Sequence, residues 1–423
     1  MVRSYQCSGC GSAILYNPGT NENICPKCGK KEPISALNAN LLNGTFAGKI
    51  GPESSDTSGT GAGTVKCPAC GGPLPTDTFT SATVCSYCGS SAIVESQLEG
   101  DYRPSRIVPF AFGKAEAQKK FRAWSKKGKL TPTEFKSNAI MDRVKATYVP
   151  FWLFDYEVDV DMVAKAEKHR KEKNGNVERE ITENYDVQRN TTAKYTMVPY
   201  AASGDMPAEA MACVEPYDYK PIDEFSMPYL NGFTAEKYVR TDIDMRAEVR
   251  KELEEVAYDV TEDTIDGYDK VEVTAKSAVF RQERTEFVLM PAYSLDYTYG
   301  GKKFPIYMNG QTGKISGKLP TSKGKGFAYF AIAFGIVALI CALISIIFIH
   351  KGDFGAAFSG SWIWAIIAFI IGGIAFLVTL GKQSGPSRYA RRNYMENKNV
   401  QVISKTDRLV NTVTKATTVE EKK

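Results

Sequence analysis

Apolar and polar residues alternate one for one through part of the chain's middle. Tyr156, Val158, Val160, Met162 and Ala164 interleave with Glu157, Asp159, Asp161 and Lys165, and the run leads to an Asn174-Gly175 pair before a return through Val177 and Ile181. A period of two with a turn of that type predicts a long, charged β-hairpin. Further strands are expected over 270–280, 285–299 and 303–308, the last two joined by Gly300-Gly301.

Helical spacing appears on either side of the hairpin. Over 114–127, Ala117, Phe121 and Trp124 share one stripe and Lys114, Lys119, Lys120, Arg122, Lys126 and Lys127 occupy the rest, a basic amphipathic helix. Its cationic face suits either plain solvation or contact with anionic lipid headgroups. A second helix is expected from Thr131, with Pro132 first and Glu134 closing a capping box, and a third over 241–257, with Thr241 and Asp244 at capping-box spacing. The segment 100–320 therefore reads as an α+β domain with antiparallel sheet. Within it Val149-Pro150-Phe151, Val198-Pro199-Tyr200, Met227-Pro228-Tyr229 and Met290-Pro291-Ala292-Tyr293 repeat an apolar-Pro-aromatic pattern, expected at strand starts or edges with the rings packed inward.

The period vanishes toward the C-terminus. Segments 327–349 and 362–380 hold no charged residue, and at 1.5 Å per residue they reach roughly 34 and 28 Å, enough for a hydrocarbon core of about 30 Å. They predict a two-helix transmembrane hairpin closed by a short external loop at 350–361. Lys314, Lys318, Lys323 and Lys325 precede the first span, and Lys382, Arg388, Arg391 and Arg392 follow the second. By the positive-inside rule both termini, including the tail 381–423, are then cytoplasmic and the protein is a two-span cell-membrane protein.

Chemistry concentrates at the other end. Cys7/Cys10, Cys25/Cys28, Cys67/Cys70 and Cys85/Cys88 form four Cys-x-x-Cys-Gly knuckles, which resolve into two copies of Cys-x2-Cys-x14-Cys-x2-Cys offset by 60 residues. That is the spacing of tetrahedral zinc bound by two hairpin knuckles, with rubredoxin-like iron the other metal that suits it. Disulfides suit an exported chain, but residues 1–6 contain no apolar signal stretch. The expectation is two structural zinc ions, in a first ribbon over 1–43 and a second over 65–98, with a flexible Gly/Ser/Thr-rich tether over 44–64.

Charge then narrows the role. Arg3, Lys27, Lys30, Lys31, Lys49 and Lys66 are matched by Glu22, Glu32, Glu53, Asp56, Asp77 and Glu95. Such neutrality disfavours binding of nucleic acid, which calls for a basic surface, and favours protein partners. Catalytic patterns are absent: His169 lies among Lys168, Arg170 and Lys171, Cys213 has no histidine near it in sequence, and Asn309-Gly310-Gln311-Thr312-Gly313-Lys314 lacks phosphate-loop spacing and reads as a hairpin turn.

Taken together, the paired ribbons, Tyr148-Val149-Pro150-Phe151-Trp152-Leu153-Phe154, Pro228-Tyr229-Leu230-Asn231-Gly232-Phe233 with Glu236, and the Asn309–Lys314 turn before an apolar hairpin resemble the YdjG-type bacterial membrane proteins. These are described as TFIIB-type zinc-ribbon proteins, and some relatives carry a primosomal helicase label, which the missing phosphate loop opposes. The resemblance implies a membrane-anchored cytoplasmic module working with SPFH-domain and phage-shock-type proteins in envelope stress and maintenance, and it carries over no catalytic residue. The expected function is a non-enzymatic scaffold or adaptor that binds the lipid bilayer and recruits protein partners to its cytoplasmic face. The alternative is a membrane-tethered nucleic-acid-binding protein.

Overall fold

A computed structural model describes residues 1–42, 48–51, 62–174, 177–350, 369–370, 373–374 and 400–418 of the chain. The N-terminal region is built from β1 (Val2–Tyr5), β2 (Leu15–Asn17), β3 (Glu22–Ile24), β4 (Lys31–Pro33), α1 (Ile34–Leu42), β5 (Gly48–Gly51), β6 (Ala62–Lys66), β7 (Pro73–Asp77), β8 (Thr80–Val84) and β9 (Ser91–Val94). Ribbon 1 is the β2-β3-β4 meander, and ribbon 2 holds the β6-β7 and β8-β9 hairpins. The two are laced together, since β1 lies between β9 and β5. Part of the expected tether is thus an ordered strand, β5, which supplies β1 with its second neighbour. Residues 44–47 and 52–61 of the tether lie outside the described residues.

The body continues with β10 (Arg106–Ile107), α2 (Lys114–Ser125), α3 (Asn138–Met141), β11 (Lys145–Asn174), β12 (Val177–Ala201), α4 (Ala208–Val214), β13 (Asp223–Glu224), β14 (Thr234–Glu236), α5 (Asp242–Glu262), β15 (Lys270–Tyr299), β16 (Lys302–Asn309) and β17 (Ile315–Gly317). The large sheet runs β13-β10-β15-β11-β14-β8-β9-β1-β5, so body and ribbons share one hydrogen-bonded surface. The predicted hairpin is β11-β12, and β11 also pairs antiparallel with β15 over nearly its whole length. The strands expected separately at 270–280 and 285–299 are one, β15, because β11 offers a continuous template.

One face of this long sheet is apolar by alternation. Tyr156, Val158, Val160, Met162, Ala164 and Ala166 are buried against Met245, Val249, Leu253, Ala257 and Val260 of α5. The capping box forms as its spacing predicts: Asp244 N–H donates to Thr241 Oγ1 and the Thr241 N–H donates back to the Asp244 carboxylate. At 131–136 the expected helix shrinks to a single 3-10 turn, Thr133–Lys136, entered from Pro132 without a side-chain cap.

The apolar-Pro-aromatic motifs correct the edge expectation. Pro150 and Pro291 sit inside β11 and β15, and Pro228 starts a 3-10 turn, Met227–Leu230. Pro150 O accepts from Ala202 N–H and Pro291 O from Gly310 N–H, so each proline's missing donor points the same way. Those sides lie just past the ends of the β12 and β16 ladders, which stop at Phe151 and Ala292, so little pairing is forfeited. Phe151, Tyr200, Tyr229 and Tyr293 are fully buried, as the motif predicts.

After β17 the chain enters α6 (Lys323–His350), 28 residues and therefore about 42 Å long. Its first 18 residues have a mean hydropathy of 1.5 and only 6% of them are buried. Among the described residues this is one helix long and apolar enough to cross a membrane, where two had been expected. The expected loop 350–361 begins at the last residue of α6, and the rest of it and the span 362–380 lie outside the described residues, apart from helical pairs at 369–370 and 373–374. Within the tail 381–423, for which the sequence pattern predicts no element, residues 400–418 form β18 (Val400–Thr418), antiparallel to β12 from Ala193 back to Val177. Its density of Val, Ile and Thr explains the extended conformation.

Candidate metal centres

Each knuckle turns in the same way. The N–H of Gly11, Gly29, Gly71 and Gly89 donates to the carbonyl of the first cysteine, at 2.8–2.9 Å, while that cysteine's own N–H reaches Ser12, Lys30, Gly72 or Ser90. The four glycines have φ of 68°, 73°, 76° and 73°. No atom would meet a Cβ within 4 Å at any of them, so the positive φ alone calls for glycine.

These turns gather the thiols into two groups, Cys7, Cys10, Cys25 and Cys28, and Cys67, Cys70, Cys85 and Cys88, with all sulfurs of a group within 4.8 Å of one another. Cys7–Cys28 and Cys10–Cys25 stand at 3.5 Å, and Cys67–Cys88 and Cys70–Cys85 at 3.7 Å. Four sulfurs about 2.3 Å from a tetrahedral zinc would be about 3.8 Å apart, so each group fits one ion. All eight cysteines are free of disulfides. In each group the first cysteine of a knuckle is buried and the second exposed, which places the centre at the surface with its inner half in the core.

The thiols differ as proton donors. Hydrogen bonds from Ser12 pull the Cys10 thiol down to about 6, and burial pushes Cys67 up to about 12. A metal taken up by either group displaces the remaining protons, so its affinity rises with pH.

The surrounding charges are largely spent on partners within the fold. Arg3, almost buried, pairs with Glu95; Lys30 donates to Ser8, whose hydroxyl and N–H donate to Glu32; Lys49 reaches Ala69 O; Lys31 stands 3.8 Å from Glu22. Lys27 and Lys66 stay exposed beside the clusters.

What fastens both ribbons to the body is the segment from Pro228 to Glu236. Tyr16 N–H donates to Asn231 O at 2.9 Å, and Asn231 Nδ2 donates to Asn23 Oδ1 at 2.8 Å in a fully buried contact. Tyr16 stacks edge-on against Tyr229 and Phe233 with centroids 5.2 and 6.1 Å apart. Toward ribbon 2, Gly232 N–H donates to Ser91 Oγ at 2.6 Å, and β14 pairs with β8 through Ala235 and Glu236. Cys7, Cys25, Ile14 and Tyr16 accordingly share one core with Phe110, Tyr148, Phe233 and Tyr293. Burial raises the phenols of Tyr16, Tyr148, Tyr229 and Tyr293, which keeps them neutral donors. Glu236, at the ribbon 2 seam, is pushed up to about 7 by burial, opposed by the hydrogen bond from Ser203. The sequence marked this segment as a motif, but its role as a clamp depends on contacts more than 130 residues away in the chain.

Other marked residues are not drawn together. His169 lies on the exposed hairpin beside Thr182 and Glu167. Cys213, on α4, lines an open, mostly apolar cavity of about 540 Å³ with Phe304 and Tyr307. Asn309 forms the predicted hairpin turn, accepting from the N–H groups of Gln311 and Thr312 and bonding through Nδ2 to Val214 O and Pro216 O.

The chain is 32% identical to the uncharacterized protein YdjG of Bacillus subtilis (strain 168) over 346 residues, which is 82% of this chain and 98% of that protein. No family model and no solved structure matches it.

Proposed function

This chain belongs to the YdjG family, and we propose that it is a membrane-anchored zinc protein that recruits protein partners to the cytoplasmic face of the cell membrane. The reading takes both four-cysteine groups as structural zinc centres. Four thiolates fill the coordination shell and leave no position for a substrate, so their chemistry is to hold shape. Because Cys7 and Cys25 lie in the core of the body, while Cys67 and Cys85 pack in a smaller cluster with Val2, Val65, Leu74 and Ala92, the first metal would fix part of a larger recognition surface rather than a free-standing finger.

The observation that carries the anchoring is where the chain goes before and after the apolar segment. It leaves the body at Ser322, whose N–H donates to Leu130 O, and it rejoins the body as β18 on β12. A chain that crosses a bilayer and returns to the same folded body has crossed an even number of times. This supports the two-span reading, with the second span over 362–380, under which ribbons, body and β18 would share one side of the membrane. The reducing interior suits eight free cysteines.

Recruitment of protein rather than nucleic acid is supported by the balance of basic and acidic residues over 1–98, six of each. The partners to be captured are the SPFH-domain and phage-shock-type proteins that the family resemblance implies. The test is crosslinking of the tagged chain in native membranes, beside a variant whose residues 323–399 are replaced by a flexible linker so that β18 is kept. The captured partner should leave the membrane fraction together with this variant. A partner that stays at the membrane contradicts recruitment, and captured nucleic acid with a steep salt dependence supports the nucleic-acid alternative instead.

A further inference from the structure

Two hydrogen bonds tie the loop after α2 to the start of α6. Ser322 N–H donates to Leu130 O and Lys325 Nζ donates to Thr131 O, both at 2.8 Å. Ser322 precedes Phe327, where the uncharged run begins and which is 73% exposed, by five residues, or about 7.5 Å of helix rise. The polar layer on each side of a bilayer is roughly 5–8 Å deep. Leu130 and Thr131 therefore lie at headgroup depth if α6 enters the membrane at Phe327.

The residues around that point are cationic. Lys126, Lys127, Lys129 and Lys323 are exposed, and Glu134 is the one carboxylate in the stretch 126–136. Along α2 itself Lys114 donates to Asp142 O, Lys120 pairs with Glu116 and lies over the Phe112 ring, and Arg122 reaches Asn138, while Lys119 is exposed. Lys126, Lys127 and Lys129 add an exposed cationic cluster just past the end of α2, next in the chain to the two residues tied to the start of α6.

We infer that Lys126, Lys127 and Lys129, with Lys323, form a collar that binds anionic phospholipid headgroups where α6 enters the bilayer. The body is thereby held against the membrane, because Lys126, Lys127 and Lys129 belong to the body and add to the attachment made by α6. This rests on the reading of α6 as membrane-embedded.

The test uses the full, metal-loaded chain in nanodiscs of phosphatidylcholine alone or with added phosphatidylglycerol, read by hydrogen exchange of amides 126–131. Exchange there should be about tenfold slower in the phosphatidylglycerol discs, since a few lysines near an anionic surface give at least that difference. The lipid dependence should weaken with salt and disappear in the triple variants Lys126→Glu/Lys127→Glu/Lys129→Glu and Lys126→Gln/Lys127→Gln/Lys129→Gln. Equal exchange in the two discs, from a chain that co-elutes with them, overturns the collar and leaves the anchoring intact. Failure to co-elute with discs overturns both. Equal protection by inorganic phosphate in phosphatidylcholine discs would mean a site for free anions and overturns the lipid assignment.

Discussion

At the scale of single residues, the glycine after each knuckle and one buried carboxyl carry the most consequence. Gly11→Ala or Gly89→Ala forces an L side chain into the left-handed region, which costs about 1–2 kcal/mol, with no steric clash to add to it. Thermal unfolding of the metal-loaded chain should show a loss of that size, and metal retention should fall in parallel. Glu236 behaves differently because burial raises its carboxyl to about 7. A raised carboxyl favours the folded state while protonated, so this contribution is complete below the ordinary glutamate range and is lost as pH rises toward 7. Glu236→Gln should remove that pH dependence and stabilise the protein above pH 7, by up to about 3 kcal/mol in unfolding titrations. The cysteines were legible in sequence because knuckle chemistry is local. Glu236 was visible only as part of a motif, since its burial is set by β8 and Ser203, which are distant in the chain.

At the scale of elements, β18 is held to the body by more than its ladder. Arg189 is fully buried and reaches both carboxylate oxygens of Asp407, and Asn184 donates to Asn411 at 2.7 Å. The Arg189 hydrogen bonds hold the Asp407 carboxyl below its usual range. The pair therefore stabilises the fold above the ordinary carboxylate range, and that stabilisation fades as pH falls through it. Asp407→Ala leaves the buried guanidinium with only the carbonyls of Gln188 and Thr264 and should cost about 1–3 kcal/mol. Limited proteolysis should then cut within 400–418 long before the body; a tail as resistant as the wild type would mean that the ladder alone holds it. Strand β11 and helix α5 were readable because their periods match their faces. The fused β15 and the docked β18 were not, since both depend on a neighbouring strand serving as template, and a Val- and Thr-rich tail was the one signal for β18.

At the scale of the whole molecule, the ribbons are part of the body, and the apolar segment is inserted between two parts that fold together. The sequence suggested tethered modules because a Gly- and Ser-rich stretch separates the cysteine pairs; sharing of the core by Cys7, Cys25 and the Pro228–Phe233 clamp joins them instead. Chelation should consequently disturb more than the first hundred residues. Two metal equivalents per chain are expected from elemental analysis, and their removal should lower the melting temperature of the body as well as of the ribbons. A body that melts unchanged after both ions are lost would mean that the ribbons are energetically separate.

The measurement that tests the central claim most directly is the sidedness of the two chain ends in sealed membranes, read from a tag before Met1 and another after Lys423. Both tags should be shielded from protease in intact spheroplasts and cleaved in inverted vesicles, as an even number of crossings and a β18 paired to β12 require. A C-terminal tag cleaved from outside while the N-terminal tag stays shielded would contradict the account.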